Sequence, residues 1–165
     1  MATSDTAPTR TATATKDASV FSLRVPLLSE GRSDKMVAKS DDLTVRMKIY
    51  AEGGENATHA HSHEDHCFVV LQGEATFYLG VEERPQVVGP LEGIHLPPGA
   101  YYRFQSTGDV NLALLRFGAW NDRRANQRLG PDGEPLPGGS TRNKGIPPVE
   151  IEGAHFGDGW GPSAE

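Results

Sequence analysis

One cysteine, Cys67, stands in a chain of 165 residues, so no disulfide can form within it and the fold must rest on burial and hydrogen bonding. The same scarcity suits a reducing compartment, and a cytoplasmic location is expected. No stretch comes near 18 consecutive apolar residues, which excludes a membrane-spanning helix. The opening MATSDTAPTRTATATKDAS lacks the apolar core of a secretory signal. Basic charge is short too: 16 Lys and Arg against 22 Asp and Glu leave a net charge of −6, the wrong sign for a phosphate backbone, so no nucleic-acid partner is expected. Convincing helical periodicity is missing. The length suits one domain with one core and is too short for two of ordinary size.

Histidine is what the chain has in excess, and in one place. Four of the six, His59, His61, His63 and His66, fall within eight positions and run into CFVVLQ, an apolar stretch of strand character closed by Gly73. Side chains alternate on a strand, so His59 and His61 share a face. After a polar turn over Ser62–Asp65, His66 is the next residue able to point at the same place, with Phe68 and Val70 on its own face. His59, His61 and His66 are the expected ligands of a divalent transition metal: iron first, with zinc, nickel or manganese as alternatives, and not the oxygen-loving Mg or Ca. Two other sets stay open. One uses His61 with His63 and omits His59; the other takes Glu64 or Asp65 as a carboxylate ligand.

The spacing Gly53-x5-His59-x-His61-x4-His66-x6-Gly73 resembles the first motif of the cupin family, with histidine where that family usually has glutamate. A degraded second motif follows as Pro97-x-Gly99-x2-Tyr102-x3-Ser106, with Leu91 at its first glycine, Tyr102 at its metal-ligand position and Ser106 at its asparagine. The resemblance implies a small jelly-roll β-barrel with the ligands inside it, and puts Tyr102 where a fourth ligand would stand.

Along the chain, residues 1–18 read as a disordered arm. VFSLRV reads as a first strand ending near Pro26, and LLSEGRSDKMVAKSDD as a polar connection. LTVRMKIYA alternates most clearly, with Val45, Met47 and Ile49 assigned inward and Arg46, Lys48 and Tyr50 outward. ATFYL, GIHL, YYRFQ and VNLALLRFG supply further strands, and many short strands between turn residues indicate an all-β sandwich or barrel over 19–120. The segment 121–165 reads as a Gly/Pro-rich linker and an extension whose apolar residues could dock on the barrel or on a second subunit.

Parity then gives a pocket lined by Met47, Ile49, Phe68, Val70, Phe77 and Phe104, apolar and partly aromatic, suited to a flat substrate and not to a highly charged acid. Tyr102 and His95 are the candidate proton-handling groups. The expected function is a metal-dependent dioxygenase acting on a small aromatic or 1,3-dicarbonyl compound. A Lewis-acid cyclase, isomerase or decarboxylase and a non-catalytic binding barrel are the alternatives. A homodimer through a barrel face bearing Tyr50, Tyr78 and Tyr101 is also expected.

Overall fold

A computed structural model describes residues 17–136 and 146–160, apart from the side chains of residues 55 and 56. Most of the expected N-terminal arm, and residues 137–145 of the expected linker, lie outside the described residues. In chain order the strands are β1 Val25–Glu30, β2 Arg32–Lys39, β3 Leu43–Tyr50, β4 Gly54–His61, β5 Glu64–Gln72, β6 Ala75–Leu79, β7 Arg84–Val88, β8 Gly93–Leu96, β9 Tyr102–Ser106, β10 Leu112–Trp120, β11 Arg128–Leu129 and β12 Val149–Phe156. They form two five-stranded antiparallel sheets, β2-β3-β10-β5-β8 and β11-β4-β9-β6-β7, plus a separate β1-β12 ribbon. The fold is all-β, as the short strands and turn residues predict, and a jelly roll, as the family resemblance implies. Among the described residues no helix is long and apolar enough to cross a membrane.

The two motif glycines have a backbone reason to be glycine. Gly53 and Gly73 sit at φ 71° and φ 74°, the left-handed region where a Cβ is costly, and they bracket the strand pair that carries the histidines. Leu91, standing where the family pattern has glycine, also takes a left-handed φ of 67°.

Burial occurs in two layers. Between the sheets lie Tyr50, Phe68, Val70, Phe77, Tyr102, Phe104, Leu112 and Leu114, with Phe77 and Phe104 rings 5.1 Å apart and Tyr50 edge-on to Phe104 at 5.3 Å. The second layer lies on the outer face of the β2-β3-β10-β5-β8 sheet, where Val25, Leu28 and Phe156 of the ribbon pack on Met47, Ile49 and Ala113.

This second layer overturns the inward assignment of β3. Its register with β10 pairs Tyr50 with Leu112, Lys48 with Leu114 and Arg46 with Arg116, and Leu112 and Leu114 belong to the barrel interior. Thr44, Arg46, Lys48 and Tyr50 therefore face into the barrel. Met47 and Ile49 face out, beneath the ribbon, and are not pocket residues. Tyr50, expected on a dimer-forming exterior, is buried inside. The ribbon also accounts for two departures from the sequence reading. The stretch read as a polar connection forms β1 and β2, and the tail returns to pair Val25 with Phe156 and Pro26 with His155. Residues past 120 also add β11 to the second sheet, paired with β4.

Candidate metal centre

The site forms where β4, β5, β9, β10 and β11 turn their inner faces together. β4 brings His59 and His61. β5 starts at Glu64, two residues earlier than the expected turn allows, and the two-residue period then sends Glu64, His66, Phe68 and Val70 inward, each buried. Register sets Tyr102 of β9 against His59, Gly118 of β10 against His66 and Arg128 of β11 against His61.

Glu64 is the hub. It is 4% exposed, and its Oε1 accepts from Arg116 Nη2 at 2.7 Å and lies 3.1 Å from His66 Nε2. Its Oε2 accepts from Asn126 Nδ2 at 3.0 Å and lies 3.3 Å from His61 Nδ1. Arg116 Nη2 also contacts His66 Nε2. Because guanidinium only donates, Nε2 acts there as an acceptor, and the His66 proton sits on Nδ1, donated to the Tyr102 hydroxyl at 2.7 Å. Gly118 leaves the room for this arrangement: a Cβ there would run into Glu64 Oε1 and come within 3.0 Å of Thr44 Oγ1 and 3.1 Å of Arg116 Nη2.

Electrostatics leave the donors in their ligating forms. Burial, reinforced by His66, pushes His61 down to about 3, against the pull of Glu64. Burial likewise lowers His66, with Arg116 adding to it. Burial alone would raise Glu64, but His66, Arg116 and His61 around it more than offset that and bring it down to about 2. At neutral pH the cluster is two neutral imidazoles and one carboxylate.

The ligand atoms of His61, Glu64 and His66 lie within 4.8 Å of one another, and His61 Nδ1 is buried without a hydrogen-bond partner. Glu64 Oε1 and His66 Nε2 already converge on one cationic nitrogen. The donor set thus fits a divalent transition ion, in the two-histidine, one-carboxylate combination.

Against the sequence reading, His61 and His66 fall in this group while His59 does not. The His59 Nδ1–H donates to the Ala57 carbonyl at 2.9 Å, and its ring lies 4.6 Å from that of Tyr102. Tyr102, buried, accepts from His66 Nδ1 and so anchors that ring from the side opposite Nε2, as a supporting residue does around a metal-binding histidine. His95 is a correction. It lies on the outer face of β8 opposite Cys67, 62% exposed, with Nε2 3.0 Å from Asp65 Oδ1, so neither it nor Asp65 reaches the interior. Phe68, Val70, Phe77 and Phe104 do face inward but are fully packed against one another. They form a floor under the site, with the Phe68 ring 5.9 Å from that of His66.

The sequence reading left Glu64 as an alternative and missed Arg116 altogether. The alternation Glu64, His66, Phe68, Val70 carries the signal for the first; for the second, nothing in VNLALLRFG marks Arg116 as inward until its register with Arg46 is known. The walls above the floor are consequently charged. Arg46 and Lys48 share Asp34, at 2.8 and 3.3 Å, and Arg128 Nη2 lies 3.2 Å from His59 Nδ1. In a chain of net charge −6, the inner face concentrates cations, against the expectation of an apolar pocket unsuited to acids.

Residues 46–117 match the family model described as Cupin domain. No curated protein matches the chain by sequence. Among solved structures, a conserved protein with a double-stranded β-helix domain from Klebsiella pneumoniae superposes with a TM-score of 0.55 at 18% identity, covering 88% of this chain and 100% of its own. A provisionally assigned mannose-6-phosphate isomerase from Ralstonia eutropha gives 0.52 at 18% identity, covering 58% of this chain and 90% of its own. A point variant of PAC13 from Streptomyces, solved with uridine, gives 0.51 at 13%, covering 70% and 93%. At these identities the likeness is one of fold.

Proposed function

We propose that the chain, whose residues 46–117 match the cupin domain model, is a metal-dependent cupin enzyme, a dioxygenase acting on a small aromatic or 1,3-dicarbonyl compound. The observation that carries this reading is the convergence of His61, Glu64 and His66 on the inner wall, the donor combination typical of non-haem iron oxygenases. When bound, iron would supply Lewis acidity and redox chemistry with O₂. The chain's own residues supply the setting. Tyr102 holds the His66 tautomer that presents Nε2. Phe68, Phe77 and Phe104 keep water from beneath the site. Lys48 and Arg46 face the interior, where they favour an enolate or phenolate form of the substrate over the neutral one.

A second reading is favoured by that same cationic wall, which would stabilise an enolate with no electron transfer: a Lewis-acid isomerase, lyase or cyclase using zinc. Elemental analysis of protein purified without added metal, followed by oxygen-electrode assays on a panel of diketones and phenols, separates the two. Near-stoichiometric iron, nickel, manganese or copper with oxygen uptake supports the dioxygenase. Zinc with turnover and no oxygen uptake moves the assignment to the Lewis-acid enzyme. Failure to take up any divalent ion on reconstitution overturns both.

A further inference from the structure

Arg116 is the feature of the site that a plain metal centre does not need. Its guanidinium takes Glu64 Oε1 at 2.7 Å and touches His66 Nε2, the same two atoms a metal ion would use, and its side chain is largely buried. Two cations cannot share those acceptors, by space or by charge. Arg116 also stands in direct cross-strand register with Arg46, on the same inward face. Like charges directly opposite are destabilising on a sheet, so Arg116 gains nothing by turning toward Arg46 unless an anion comes between them.

We propose that Arg116 is a built-in competitor for the metal which, once displaced, becomes a receptor for the anionic group of the substrate, so that the divalent ion and a carboxylate-like ligand bind cooperatively. The inference rests on the metal-dependent reading above and adds the substrate class. Charge carries the argument. With Glu64 engaged by a dication, Arg116 loses its counter-ion inside the barrel, and a buried guanidinium without an anion is strongly unfavourable. A carboxylate, enolate or phenolate arriving beside the ion neutralises both charges together. Arg46, held by Asp34 through Nη1 at 2.8 Å, offers the second guanidinium of a two-armed clamp of the kind that recognises planar oxyanions. Linkage then requires each ligand to tighten the other by the same factor.

The test is zinc affinity, measured by competition with a chromogenic chelator, with and without benzoate as the probe anion and benzamide as its neutral isostere. In the wild-type protein benzoate tightens zinc binding about 10-fold, within the usual range of such couplings, and benzamide does not. Arg116→Met binds zinc more tightly than wild type without benzoate, and benzoate then changes nothing. Arg46→Gln, which keeps the competitor and removes one arm of the clamp, leaves zinc affinity as it was and shrinks the benzoate effect, so the inference is tested even where R116M does not fold. Zinc binding that is equal or weaker in R116M overturns the inference, as does a benzoate effect absent from the wild type or undiminished in R46Q. Those outcomes leave the metal site standing. No zinc uptake by any of these proteins removes the metal reading, and this inference with it.

Discussion

The two faces of β3 teach the main lesson of this molecule. One face, Val45, Met47 and Ile49, is apolar; the other, Thr44, Arg46, Lys48 and Tyr50, is mostly polar; and both are buried or nearly so. In a sheet with one wet side, alternation says which face is core, because the apolar residues go in and the polar ones go to water. Here the barrel sheet is covered on both sides, by the opposite sheet within and by the β1-β12 ribbon without. The apolar face fills the outer layer. The polar face is left to line the inside, Lys48 at 7% exposure included. A period of two separates the faces without telling them apart.

The comparison can be broken most directly on the outer side. Ile49→Ala should destabilise the protein by about 2–5 kcal/mol, the range for truncating a fully buried aliphatic side chain, read as a shift in the urea midpoint, while zinc affinity stays unchanged. Lys48→Met on the inner side should alter stability by no more than about 1 kcal/mol, since Asp34 keeps Arg46 and the substitution therefore leaves no buried charge without a partner. If Ile49→Ala instead impaired zinc binding and left stability intact, the faces would be reversed.

Much of the architecture could be read in advance, for physical reasons that differ by element. β3, β6, β8 and β10 are bounded by turn residues and carry β-branched or aromatic side chains, and they lie where those signals put them. The jelly roll followed from the family resemblance that the histidine and glycine spacing carries. β1 and β2 were hidden because Pro26 and a run of Ser, Asp and Lys suit an exposed linker; they form strands through their pairing partners, β1 with β12 far along the chain and β2 with β3, the next strand. The site was half legible. His61 and His66 follow from alternation, whereas Glu64 was obscured by a turn drawn two residues too long, and Arg116 by the inverted faces of β3.

Within the barrel, the expected effects fall on the metal and not on the fold. Glu64→Gln should reduce zinc affinity about 100-fold or more, beyond the roughly 10–100-fold typical when a residue supporting a ligand is changed. Tyr102→Phe belongs to that supporting class and should fall in the 10–100-fold range, with a stability loss of about 1 kcal/mol for the missing hydrogen bond. Gly118→Ala should weaken zinc binding as well, because its methyl group competes with Glu64 Oε1 for space. Chelator competition measures all three. Equal affinity in Tyr102→Phe and wild type would reduce Tyr102 to packing.

The smallest effect expected lies on the outside of the opposite sheet, where charge is paired in water instead of enclosed. Glu83 accepts two hydrogen bonds from Arg103, at 2.9 and 2.7 Å, and one from Thr58; the Arg103 guanidinium also lies 3.7 Å from the centre of the Tyr78 ring. The Arg103 and Thr58 hydrogen bonds hold the Glu83 carboxyl down from 4.5 to about 2. A carboxylate whose folded value is depressed favours the folded state above its unfolded value, and that contribution is lost as pH falls through the window from about 4.5 to about 2. Glu83 is 40% exposed, so solvent screening keeps the pair under about 1 kcal/mol. Glu83→Gln should therefore lower the urea midpoint slightly at neutral pH, and the gap from wild type should close on acidification. Glu64 and Asp34 also titrate below the ordinary carboxylate range, but they do so in both proteins and cancel in the difference. A gap that widened on acidification would mean that Glu83 is stabilised as the neutral acid, and the contrast between screened outer pairs and enclosed inner ones would fail at its simplest instance.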